Sequence, residues 1–163
     1  MRRSMTLGIV VAGALVLAAC GGDESSTSTD TGAAIPSESN AGNTVAVSVG
    51  EEGPDSMYLR LSQDTAAAGP VTFVVTNEGQ KVHEFIVIQT DTPAGDFPLL
   101  PEAEDADHNF DEAAVGTAID EIEDLAAGDT QELTVTLDAG HYALACNIRP
   151  HYENGMWADF DVT

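Results

Sequence analysis

A thiol, an imidazole and a thioether stand at even spacing near the C-terminus: Cys146, His151 and Met156, in the pattern C-x4-H-x4-M. Two soft sulfur donors beside an imidazole suit copper better than any hard cation. One further histidine would give two histidines, a cysteine and a weak axial methionine, the ligand set of a copper electron-transfer centre. The chain holds four histidines. His83 opens an apolar run after the turn-like Asn77-Glu78-Gly79-Gln80 and is the preferred fourth donor. By itself such a histidine is more often a core residue satisfied by hydrogen bonds, and it is the three C-terminal donors that make it a ligand candidate. His108 lies in an acidic stretch expected to be mobile. Cys146 is also the only thiol beyond Cys20, and metal ligation would protect a lone thiol in an oxidising compartment.

The elements that must position these residues read as strands. Val45, Val47 and Val49 alternate with polar neighbours, as do Met57, Leu59 and Leu61, then Val71, Phe73 and Val75, then Leu133, Val135 and Leu137. Each is a period-two pattern with one buried face. His83 to Ile88 is apolar on both faces, as in a central strand, and Ala118 to Asp124 reads as an edge strand. Helical periodicity is absent apart from one turn around Asp111 to Val115. The expected fold is all-β, an antiparallel sandwich or Greek-key barrel, with a long irregular insertion around 91–117 that carries Pro93, Pro98 and Pro101. Strand parity puts Tyr142, Leu144 and Cys146 on one face and His141 on the other, which disfavours His141 as a ligand. Met156 heads the row Met156, Ala158, Phe160 and Val162. Both sulfurs are therefore expected at strand ends on the core side, with His151 on the loop between them.

The first residues read as an address. Arg2 and Arg3 precede a short apolar run from Met5 to Leu17, and Leu17-Ala18-Ala19-Cys20-Gly21 resembles a bacterial lipobox. Residues 1–19 are expected to be a lipoprotein signal peptide, with Cys20 lipidated. The apolar run falls short of the roughly 20 residues a membrane-spanning helix requires. Residues 20–42, rich in Gly, Ser and Thr, are expected to be a disordered tether, and residues 43–163 the folded domain. The expected location is the outer face of the cytoplasmic membrane. Five Lys and Arg stand against 28 Asp and Glu, a net charge of −23. That acidity argues against nucleic acid as a partner. It fits a solubilising surface or the steering of a cationic partner.

The stretch Val71 to Gly79, followed by His83-Glu84-Phe85, resembles the V-x-F-x-V-x-N-x-G…H-x-F segment of the cupredoxins. Gly140-His141-Tyr142, followed by Cys146, His151 and Met156, resembles their C-terminal ending. The ligand-loop spacing is most similar to auracyanin and sulfocyanin types. The resemblance implies one type 1 copper ion, cycling between Cu(I) and Cu(II), held by His83, Cys146, His151 and Met156. It also implies departures. Relatives often carry Asn where this chain has Glu84, a position that ties the two ligand loops. They often carry Ser or Thr where it has Asn147, and Pro-Gly where it has Arg149-Pro150. Arg149 is expected to pair with Glu153. Trp157 is expected to pack on the insertion, or else to join Tyr152 in a partner surface.

These readings converge on a membrane-tethered one-electron carrier between exported or membrane-bound redox partners of a respiratory chain, monomeric and without enzymatic activity. Four histidines are too few for a trinuclear copper cluster, and one domain thiol is too few for a dinuclear copper centre. The alternative is an extracytoplasmic copper carrier or store, which the scarcity of methionines disfavours.

Overall fold

The computed structural model describes residues 43–163. The segments read in the sequence as a signal peptide, a lipidation site at Cys20 and a tether lie outside the described residues. The alternating segments form strands β1 (Thr44–Gly53), β2 (Ser56–Leu61), β3 (Thr65–Ala66), β4 (Gly69–Asn77), β5 (His83–Gln89), β6 (Thr117–Leu125), β7 (Thr130–Leu137), β8 (Gly140–Ala145) and β9 (Trp157–Val162). A single helical turn, α1 (Glu112–Val115), is capped by Asp111, whose carboxylate accepts the Ala113 N–H at 3.0 Å. The strands build a four-stranded sheet in the order β2-β1-β4-β7 and a five-stranded sheet in the order β3-β9-β8-β5-β6.

The all-β sandwich is the expected architecture; within it most pairs are antiparallel, and two are parallel. β1 runs parallel to β4, and β3 parallel to β9. After β2 the chain crosses to the other sheet at β3 and returns as β4 beside β1, so β4 enters in the direction of β1. Parallel pairing requires such a crossover, and the alternation of side chains carries no trace of it.

The alternating rows meet between the sheets. Val45, Val47, Val71, Phe73 and Val75 from one sheet face Phe85, Val87, Tyr142, Leu144 and Phe160 from the other. Phe73 lies at the centre, 5.3 Å from the ring centroids of both Phe85 and Phe160. Full burial of each such side chain contributes about 1.5–3 kcal/mol. Cys146 and Met156 belong to this same cluster.

The outer face of the five-stranded sheet carries a second core. Ile86, Ile88, Ala143 and Ala145 pack against Ala94, Phe97, Phe110 and Val115 of the 91–117 segment and against Tyr152. This is why β5 is apolar on both sides. It also corrects the expectation of a mobile insertion: the segment is a packed cover over β5 and β8. At the sheet's edge, β6 exposes Asp120, Glu121, Glu123 and Asp124, charges that oppose pairing with another strand.

Candidate metal centre

Three elements meet at one end of the sandwich. His83 is the first residue of β5 and follows a turn built on the buried Asn77. The Asn77 Nδ2 donates to the carbonyls of Lys81 at 2.7 Å and Leu125 at 2.9 Å, and its Oδ1 accepts the Gly79 N–H. Cys146 directly follows β8, and residues 147–155 loop back to Met156 before β9. Backbone bonds knit that loop: Cys146 N–H donates to Met156 O at 3.1 Å, Met156 N–H to His151 O at 3.1 Å, and His151 N–H to Ile148 O at 2.6 Å. Gly155 makes the final turn at φ +102, where a Cβ would also press on Met57 O at 3.2 Å. That backbone region strongly favours glycine.

The loop brings the donors together. His83 Nδ1 lies 3.2 Å from His151 Nδ1, and Cys146 Sγ lies 3.4 Å from His151 Nδ1. One donor atom from each of His83, Cys146 and His151 falls within 4.8 Å of the others, and all three residues are buried. Met156 is fully buried beside them in the core. The structure thus brings the four residues singled out in the sequence to one place.

The electrostatics fit a bound cation. Burial pushes the Cys146 thiol up to about 12. Burial, and then repulsion from His83, push His151 down to about 4. Burial also lowers His83, with Glu51 partly opposing. The two imidazoles are therefore neutral at pH 7, with ring nitrogens facing a thiol that would ionise only beside positive charge. Metal binding requires neutral imidazole and thiolate together. Two nitrogens, one thiolate sulfur and an adjacent thioether form the donor set that copper prefers.

The surroundings differ in part from expectation. The Glu84 side chain does not tie the ligand loops. Instead the Glu84 backbone N–H donates to Cys146 Sγ at 3.4 Å, a bond that stabilises thiolate charge. Burial, then repulsion from Glu112 and Glu121, raise the Glu84 carboxyl to about 7. Asn147 is 1% exposed and ties the cysteine loop to the insertion. Its Oδ1 accepts the N–H groups of Asn109 and Phe110, and its Nδ2 donates to Phe110 O and Glu112 Oε1. Tyr152 is buried in the outer core, not on a partner surface. It stacks on Phe97, and its hydroxyl accepts the Phe97 N–H at 2.8 Å. Trp157 packs on Gly95 of the insertion, as expected, and stays 37% exposed.

Arg149 does not pair with Glu153. Its guanidinium donates to the carbonyls of Leu100 and His108, because the planar fork can serve several backbone oxygens at once. His141 bonds Thr90 O and Asp159, away from the centre. His108 pairs with Asp105 at 3.0 Å.

Glu51, which no motif marks, is the residue that sequence reasoning missed. It stands late in β1, and its carboxylate lies 3.2 Å from His83 Nε2, although out of line for a full hydrogen bond. The N–H groups of Gln80 and Lys81 fix that carboxylate, and against the cost of burial they hold it below the usual range. Carboxylates behind ligating histidines orient the ring and raise its basicity.

The family model of the sulfocyanin (SoxE) domain matches residues 39–163. Comparison with curated proteins gives no match. Among solved structures, the chain is similar to reduced auracyanin from the photosynthetic bacterium Roseiflexus castenholzii, with 18% identity and a TM-score of 0.53 over 74% of this chain and 97% of that one. It is similar to an azurin from Methylomonas sp. strain J, with 15% identity and a TM-score of 0.51 over 76% of this chain and 99% of that one. A rusticyanin variant aligns at 17% identity and a TM-score of 0.51 over 76% of this chain and 80% of that one. At such identities these structures speak for the fold alone, which agrees with the mixed sandwich. The chain belongs to the sulfocyanin (SoxE) domain family, with the cupredoxin fold of copper electron-transfer proteins.

Proposed function

We propose that this chain is a one-electron carrier, tethered through a lipid on Cys20 to the outer face of the cytoplasmic membrane. It serves exported or membrane-bound redox partners of a respiratory chain. One observation carries the reading: His83 Nδ1, His151 Nδ1 and Cys146 Sγ converge in a buried site beside Met156. When bound, copper supplies the one-electron couple. His83, Cys146 and His151 would hold it as strong ligands, with Met156 as the weak axial one.

The chain's own groups do the rest. The core around Met156 excludes water. The Glu84 N–H offsets thiolate charge, and Glu51 orients His83. The hydrogen-bonded 147–155 loop fixes the donors, so little has to move when an electron arrives or leaves. This closure also supports a permanently bound ion over an exchangeable one and disfavours a carrier or store. The acidic surface suits a cationic partner, and a monomer is expected.

The test is the visible spectrum of the purified protein after addition of Cu(II). An intense thiolate-to-copper charge-transfer band is expected, lost in Cys146→Ser, together with reversible one-electron voltammetry. A colourless protein that binds Cu(I) tightly would sink the proposal in favour of copper handling.

A further inference from the structure

A second cluster of ligands lies just outside the first. Glu84 on β5, Glu112 at the start of α1 and Glu121 on β6 place carboxylate oxygens within 4.8 Å of one another. They line a cavity of about 290 Å³ together with His108, Glu123 and Asp124. The decisive member is Glu84. It is 8% exposed, and among the described residues nothing donates a hydrogen bond to its carboxylate or pairs with it. It also interrupts an apolar row, since Ile86 and Ile88 follow it on the same face of β5. Its carboxylate faces only the cavity, and a negative charge on so buried a side chain, beside two others and without a partner, is costly. No lysine or arginine lines the cavity. Arg149, nearby in the chain, spends its guanidinium on two backbone carbonyls. The imidazole of His108 is the one basic group there, and it is held by Asp105.

We propose that Glu84, Glu112 and Glu121 bind a hard divalent cation of the Ca²⁺ or Mn²⁺ class, and that its occupancy raises the reduction potential of the adjoining copper centre. Oxygen donors select such ions over copper(I). Oxygens sharing an ion at Ca²⁺ bond lengths of roughly 2.3–2.6 Å can lie no more than about 5 Å apart, which the cluster satisfies. The open side of the cavity leaves room for water ligands.

Coupling to the copper centre, which rests on the function proposed above, runs through two short links. The Glu84 backbone N–H donates to Cys146 Sγ. Glu112 accepts from Asn147 at 2.9 Å, the residue after that cysteine. Positive charge here favours the electron-rich reduced state. By linkage, the cation binds the reduced protein more tightly than the oxidised one, by the same factor.

The test begins with calorimetric titration of the copper-free protein with CaCl₂, and with MnCl₂ followed by the loss of free-Mn²⁺ EPR signal. Saturable binding of one ion per chain is expected, weakened at least tenfold by Glu121→Gln. That residue is exposed on an edge strand, so the variant keeps its fold. Glu132→Gln, exposed on β7, should bind as the parent does. Absence of saturable binding, or equal binding by Glu121→Gln, overturns the site. Cys146→Ser should still bind Ca²⁺, which keeps this test independent of the copper reading. In the copper-loaded protein at fixed ionic strength, saturating Ca²⁺ should raise the reduced-to-oxidised ratio at a set electrode potential about tenfold, equivalent to 59 mV for a one-electron couple. A potential unmoved by saturating Ca²⁺ overturns the coupling.

Discussion

Asn147→Ala should separate the cysteine loop from its cover. The parent side chain is buried and makes four hydrogen bonds: it accepts from Asn109 N–H at 2.9 Å and Phe110 N–H at 3.0 Å, and donates to Phe110 O at 3.1 Å and Glu112 Oε1 at 2.9 Å. Alanine removes all four. The Asn109 N–H keeps a second acceptor in the Asn147 carbonyl at 2.9 Å, and Glu112 can turn to water. The Phe110 N–H and C=O lose their side-chain partner inside the protein. About 1 kcal/mol net for each of the two lost Phe110 bonds, plus about 1 kcal/mol for the stranded Phe110 N–H, bring the expected loss to about 3 kcal/mol. For a domain of this size that is a fall in Tm of roughly 10–15 °C. Urea denaturation of the copper-free protein gives the number directly. Asn147→Ser, which restores one acceptor, should recover about 1 kcal/mol of it. A loss under about 0.5 kcal/mol for alanine would refute the view that Asn147 fastens the insertion to the ligand loop.

Three further substitutions probe other contacts. Phe110→Ala opens the outer core where Phe110 meets Phe97 at 5.1 Å and Tyr152 at 4.9 Å; a loss of about 3–5 kcal/mol is expected in denaturation, and a smaller one would mean that the insertion contributes little packing. Glu51→Gln keeps acceptors for Gln80 and Lys81 but removes the negative charge beside His83 Nε2, so the reduction potential should rise by about 30–60 mV, a three- to tenfold shift of the couple; voltammetry showing a fall would reverse the assigned role. Gly95→Ala places a Cβ 2.5 Å from Trp157 Cζ2, so the indole should swing toward water and its fluorescence shift to the red, whereas an unchanged emission maximum would contradict this packing.

Period-two alternation made the inner core legible, because strand faces repeat without error over short spans. It carried as far as Cys146 and Met156, which stand where parity places them. What covers a strand's second face was not legible. Ile86 and Ile88 announce that something packs on them, but Phe97, Phe110 and Tyr152 come from irregular backbone with no period to follow. Glu51 was invisible for a related reason. Its partners Gln80, Lys81 and His83 lie about thirty residues away and are brought near only by the parallel pairing of β1 with β4, which alternation cannot encode. Arg149 misled because charge suggested a carboxylate nearby in sequence, whereas the fold offered it carbonyl oxygens.

The holding of the donors has a consequence for the protein without metal. His83 is anchored by the Asn77 turn, with the Glu51 carboxylate close behind its ring. Cys146 and Met156 are paired through their backbones, and His151 is fixed at both its N–H and its C=O. None of these bonds involves the metal. Copper removal should therefore leave the donors in place, with their nitrogens and sulfur still facing one another. In NMR spectra of the copper-free protein, the amides of residues 145–157 should give one sharp set of resonances, at shifts close to those of the Cu(I) form away from the ligands themselves. Widespread exchange broadening across that loop would show that the metal organises the site. The low structural cost of electron transfer would then have to be attributed to copper's own preferences and not to the fold.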